Sequence, residues 1–145
     1  MFYKDRFNIT EMTDPRTALI CARFNLRGGK RRLQKGITTA GIVALYDSLL
    51  FGMRYYITRH ERNSFLENID LWDAMSMFEA LTRARVFEDP LSFNRFSLLV
   101  ERALWQGSFS LDPDAVLAEV EKMLTILGVM PFNPNSSLKE SRMED

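Results

Sequence analysis

One histidine and one cysteine bound the side-chain chemistry open to this 145-residue chain. The histidine is His60. An imidazole has an unperturbed pKa near ~6.5, which suits it to proton transfer. His60 is followed by Glu61-Arg62-Asn63-Ser64. A second histidine four residues on, which a helical zinc site requires, is therefore missing. The lone Cys21 can build neither a disulfide framework nor a thiolate cluster. No metal and no cofactor are expected. Arg54, Arg59 and Arg62 surround His60 in sequence. It is thus either a proton carrier among cations or a surface histidine favoured by a helix C-terminus.

The densest charge lies in Arg27-Gly28-Gly29-Lys30-Arg31-Arg32-Leu33-Gln34-Lys35. A phosphate-binding loop would need Lys-Ser or Lys-Thr between a strand and a helix. Here Lys30 precedes Arg31, and no strand pattern comes before it. Lys30, Arg31, Arg32 and Lys35 form either a nucleic-acid contact or a solvated helix face. No aromatic is interleaved within the run, which weakens base stacking as its purpose. Residues 1–64 hold 12 Lys/Arg against 5 Asp/Glu, a balance of +7, and residues 65–145 hold 7 against 14, a balance of −7. Such halves either offset each other by packing or leave a basic patch for an anionic partner. Asp47, in an apolar stretch, is either a buried acid or the mark of a wetted face. Trp72 and Trp105 read as core or interface anchors. Glu119 and Glu121 stand two apart, so on a helix they point to different sides.

These groups must be carried by helices. Asp14-Pro15 has the form of a helix start, and Leu19, Ala22, Leu26 and Leu33 recur on one helical face. Gly28-Gly29 predicts a bend or break there, and Gly36 a stop. A second helix is predicted from a cap at Thr38 or Thr39 to about Arg62, with Val43, Tyr46, Leu50, Met53 and Ile57 inward. Its small residues Gly41, Ala44, Ser48 and Gly52 form a stripe that admits another backbone closely, and they are the expected dimer interface. A loop follows over residues 63–69. A third helix is capped by Asp70 and runs to Val86-Phe87. A fourth is capped by Asp89 or Ser92, carries Phe93, Phe96, Val100, Ala103 and Leu104, and stops at Gly107. The fifth opens at Asp112-Pro113 and ends at Gly128.

No segment alternates with the two-residue period of a strand. The expectation is an all-α fold: a single compact bundle of about five helices, packed up and down around the long second one. Residues 1–132 form one domain, and the polar residues 133–145 a disordered tail. Residues 37–53 are too interrupted by Asp47 and the following Arg54 to favour a membrane span. The charged first fifteen residues lack a secretory core, and with the single cysteine they point to a cytoplasmic setting.

The run Arg31-Arg32-Leu33-Gln34-Lys35-Gly36, followed by Ala40 and Ala44-Leu45-Tyr46-Asp47-Ser48, resembles the start of HEPN domains. There a helix ends at glycine, and a small-residue-rich helix with a central aromatic follows. The likeness covers residues 16–62 in pattern, and the later helices agree in number only. It implies a helical bundle that dimerises and serves as a binding or interaction module. Many HEPN proteins are metal-independent endoribonucleases with an arginine, four to six residues, then a histidine. Arg54 and His60 fit that interval. The resemblance would make His60 the proton-transfer group and Arg54 the stabiliser of phosphate charge. It would make RNA, or a nucleotidyltransferase-type protein, the partner. The chain departs from the pattern in placing this pair at the end of the second helix, and in having Tyr55 after the arginine.

Overall fold

The computed structural model describes residues 14–60, 63–88, 91–106 and 112–132, with the backbone alone at 91, 92 and 106. The first dozen residues and the predicted tail lie outside the described residues. Helix α1 spans Pro15–Gln34 and begins as the sequence predicts. The Asp14 carboxylate accepts the Arg16 amide at 3.4 Å, and Pro15 occupies a first position that needs no N–H. The predicted break at Gly28-Gly29 does not occur. A Cβ on Gly29 would lie 2.7 Å from Leu45 Cδ2 and 3.0 Å from the Gly41 carbonyl oxygen. Gly29 is therefore a point of close approach, not of weakness. At Gly36 the backbone turns left-handed, φ 78°, and ends the helix.

Helix α2 spans Thr38–Arg59. Its N-cap is Ile37, without a side-chain hydrogen bond, and not the expected threonine. Thr39 turns its hydroxyl to the Ala103 carbonyl instead, at 3.4 Å. The predicted end at Arg62 retreats to Arg59, and residues 61 and 62 lie outside the description. Leu45 meets Gly29, and Ser48 donates its hydroxyl to the Ala22 carbonyl at 2.7 Å. Positions rise on α2 as they fall on α1, so the two helices run antiparallel. Ile42, Leu45, Leu49 and Met53 are fully buried and Leu50 and Ile57 nearly so, whereas Val43 and Tyr46 of the predicted face are half-buried. The helix is covered on nearly every side, which suits its central place.

A single 3-10 turn at Ser64–Leu66 leads to α3, Ala74–Arg83. Asp70 does not cap it. Its carboxylate accepts the Trp72 amide at 2.9 Å and closes a local turn, so the helix starts after Asp73. Helix α4 spans Leu91–Gln106, and α5 spans Pro113–Ile126. The predicted cap Asp89 and stop Gly107 lie outside the described residues, as does the side chain of Ser92. Asp112 caps α5 by accepting the amides of Asp114 and Ala115 at 3.1 and 3.4 Å.

An aromatic chain joins three helices. Phe93 lies 4.7 Å from Phe78 and 6.1 Å from Tyr46, between ring centroids, and Phe87 lies 5.7 Å from Phe78. On the other side Leu124, Leu127 and Val129 close over Gly52. Arg23 of α1 donates from Nε to the Val129 carbonyl at 3.1 Å and covers the Phe132 ring at 5.1 Å. Among the described residues the architecture is the predicted one: all-α, five α-helices, packed around α2. No helix among the described residues is long and apolar enough to cross a membrane.

Candidate functional site

Arg54 is the most unusual side chain. It is 0% exposed. Its Nε donates to the Leu71 carbonyl at 2.7 Å, and its guanidinium lies 4.4 Å from the Trp72 ring and 5.0 Å from Phe51. Neither terminal nitrogen has a hydrogen-bond partner among the described residues. Burial pulls its pKa down to about 10, offset in part by Cys21 and Asp70. Burial likewise pushes the Cys21 thiol up to about 11, so Cys21 is a neutral, inert neighbour near neutral pH.

His60 sits at the C-terminal end of α2. Its ring stacks on Tyr56, 4.0 Å between centroids, and Nδ1 lies 2.8 Å from the Tyr56 carbonyl oxygen. Positions 54 and 60 differ by about 600° of helical turn, or about 120° around the axis. Arg54 is engaged with Leu71 and Trp72 in the interior, while His60 leans on its own helix at the rim. The arrangement does not bring the two side chains to one surface where a phosphate could meet both.

The small-residue stripe also serves the interior. A Cβ on Gly41 would come within 2.9 Å of Leu33 Cγ, and one on Gly52 within 2.9 Å of Leu124 Cδ2. Ser48 is spent on Ala22, and Ala44 is buried. Gly41, Ala44, Ser48 and Gly52 therefore receive α1 and α5 of the same chain. This corrects the expectation that they face a second copy. The physical inference of close backbone approach holds; the partner is internal.

At the end of α1, Arg31, Arg32 and Lys35 are exposed and Lys30 is half-buried. Among the described residues none of these four is joined to an acidic side chain. The Arg95–Glu119 ion pair, 3.8 Å, lies within the acidic half. One turn before the basic run, Phe24 is exposed and carries the Arg27 guanidinium 5.9 Å from its ring. Partial burial and the charge of Arg31 both lower the Arg27 pKa.

Asp47 is half-buried on α2, and burial raises its carboxyl pKa to about 6. Its charged form is disfavoured by folding. In the window from about pH 4 to about 6 the folded state binds more protons than the unfolded one. The destabilisation from Asp47 is thus absent below that window and fully present above it.

The structure adds a surface of which sequence reading marked only Trp105, as a core or interface anchor. On α4, Trp105 is 86% exposed, Leu98 60% and Leu104 58%. Leu104 was expected inside with Phe93, Phe96, Val100 and Ala103; those four are buried and it is not. Leu98 and Trp105 are seven residues apart, hence on one stripe. That spacing was the available signal, masked by Glu101 and Arg102 between them. Beside the stripe runs a groove of about 540 Å³ lined by residues that include Phe96, Leu99 and Val116, with Arg95 and Glu119 at its margin. The chain matches no family model, no curated protein and no solved structure.

Proposed function

We propose that the chain is a HEPN-like helical interaction module that pairs with a second copy of itself through the outer face of α4. The observation that carries this reading is Trp105, 86% exposed and on one stripe with Leu98. A tryptophan held in water beside other exposed apolar side chains is a strong anchor for a protein contact. The rim indicates which partner. Glu101 and Glu119 accompany Arg95 and Arg102 around the groove, so the patch carries both signs. A two-fold contact needs a face complementary to itself, and a mixed-sign rim around an apolar centre supplies one.

Light scattering over a concentration series tests it. The expected mass is twice 16.9 kDa at high concentration. Trp105→Asp should weaken pairing by at least about tenfold, in line with the loss of a central anchor. A wild-type mass of one chain at every concentration overturns the proposal.

A second reading rests on a separate observation: Lys30, Arg31, Arg32 and Lys35 stand together without acidic partners among the described residues, with the exposed Phe24 about two turns before Arg31. Such a face suits nucleic acid held mainly by its phosphates. Removing Arg31 and Lys35 as charges should then lower the slope of log affinity against log salt by about 2. An unchanged slope, or no binding to RNA or DNA by the wild type, removes this reading.

A further inference from the structure

Helix α1 carries Arg16, Arg23, Arg27, Lys30, Arg31 and Arg32 and no aspartate or glutamate, and Lys35 follows as its C-cap. Its buried residues Ala22, Leu26, Gly29 and Leu33 define the inner side. At about 100° of turn per residue, Phe24, Gly28, Arg31 and Lys35 fall within about 60° of one another, opposite that side. Arg27 and Arg32 flank the stripe. Phe24 stands outside the basic run in sequence but on the same stripe in space. The run holds no aromatic, yet the surface it builds does.

Phe24 is 40% exposed, and among the described residues it is the one large apolar side chain that α1 exposes. The Arg27 guanidinium lies 5.9 Å from its ring centroid. On the other flank Gly28 offers no side chain, and a Cβ there would meet only the flexible end of Arg32, 2.8 Å from Nη1. A flat group can therefore approach the ring past Gly28. Arg27, Arg31 and Lys35 follow at four-residue intervals, about 6 Å of rise each. Like charges at that spacing repel. Lys30, Arg31, Arg32 and Lys35 have no acidic partner among the described residues to offset this. A bound polyanion would.

We infer that this face holds a single strand of nucleic acid: one base stacks on the Phe24 ring beside the Arg27 guanidinium, and the phosphates run toward Lys35 over Arg31 and Arg32. The inference rests on the nucleic-acid reading above, and adds which form is bound and by what group. In a duplex the base faces cover one another, so an outward ring has only edges and phosphates to meet. Anionic lipid needs a broad apolar face to bury, and α1 offers one exposed ring. A base face is flat, and stacking on an aromatic ring is indifferent to which base it is. Base faces and phosphates are common to RNA and DNA, so oligo(U) and oligo(dT) are equivalent probes.

Fluorescence anisotropy on the full chain tests the inference, with labelled oligo(U) and oligo(dT) of about 12 nucleotides and a duplex of equal length. Counterion release alone favours the duplex, whose charge is denser. The ring should reverse that order, with both single strands bound at least about fivefold more tightly. Phe24→Leu keeps the apolar bulk and removes the stacking face. It should weaken single strands by at least about fivefold and leave the duplex and the salt slope unchanged, whereas Phe24→Tyr should keep the wild-type affinity. Thermal unfolding checks that both variants keep the fold, and the single-strand preference of the wild type decides the matter alone if they do not. A duplex bound as tightly as the single strands, or a Phe24→Leu variant of undiminished affinity, overturns the inference and leaves the phosphate-held reading standing. Binding to phosphatidylserine vesicles but to none of the three nucleic acids, or binding to no probe at all, removes both together.

Discussion

Phe93→Ala is expected to lower the free energy of unfolding by about 3–5 kcal/mol, the usual penalty for emptying a buried phenylalanine site. Phe93 is 1% exposed and stands between Phe78 of α3 and Tyr46 of α2. Its ring is the piece of α4 that both neighbours share. The Thr39 hydroxyl on the Ala103 carbonyl adds a single 3.4 Å hydrogen bond between α2 and α4, and such bonds contribute roughly 1 kcal/mol. Phe96, Val100 and Ala103 stay buried in the variant, so truncation empties the N-terminal part of the α4 contact without releasing the helix. Domains of this size are stable by only about 5–15 kcal/mol, so the variant should sit near its unfolding threshold. Urea denaturation followed by circular dichroism measures the loss. Phe93→Leu, which keeps most of the volume, should forfeit only about 1–2 kcal/mol. A loss below about 1 kcal/mol for the alanine variant would mean that α4 is not an integral part of this core.

The sequence carried the helices and the central position of α2 because both are written locally. Asp14-Pro15 and Asp112-Pro113 satisfy their own helix starts within two or three residues. The mixed small and large residues of α2 fit a rod enclosed on several sides. What failed did so where tertiary contact overrides local preference. Asp70 reads as a cap, yet its carboxylate is consumed by the Trp72 amide. The threonines at 38 and 39 read as caps, yet one reaches across to α4. The stripe of Gly41, Ala44, Ser48 and Gly52 announced a close contact, but no residue pattern states whether the contacting backbone belongs to the same chain. Arg54 is the sharpest case. Periodicity places it on a helix, but only the packing of residues 71 and 72 shows that it points into the interior. The α4 face was only half legible: Trp105 read as a core or interface anchor, but a single residue type does not say which of the two it is, and Leu98, on the same stripe, was not singled out.

Gly28 and Gly29 are adjacent and chemically identical, and substitution should move stability in opposite directions. Alanine is better than glycine inside a helix by roughly 1 kcal/mol, so both changes start from the same gain. At Gly28 a new Cβ would meet only Arg32 Nη1, at 2.8 Å. That atom is the far end of an exposed, flexible side chain and can swing aside. Gly28→Ala should therefore stabilise by nearly the full ~1 kcal/mol. At Gly29 the new Cβ would stand 2.7 and 2.9 Å from Leu45 and 3.0 Å from the Gly41 carbonyl oxygen. Leu45 is fully buried, and the carbonyl belongs to the backbone of α2. Neither can yield unless α1 and α2 separate. Overpacking of this kind costs about 1–3 kcal/mol, occasionally more, so it outweighs the helical gain. Gly29→Ala should destabilise by about 1–2 kcal/mol, and Gly29→Val, with two further methyl groups against the same wall, by about 3 kcal/mol or more. Thermal unfolding of the three variants beside the wild type reads the signs directly. If Gly29→Ala were as stabilising as Gly28→Ala, the α1–α2 crossing would have to be wider than glycine requires, and the explanation for an unbroken α1 would go with it.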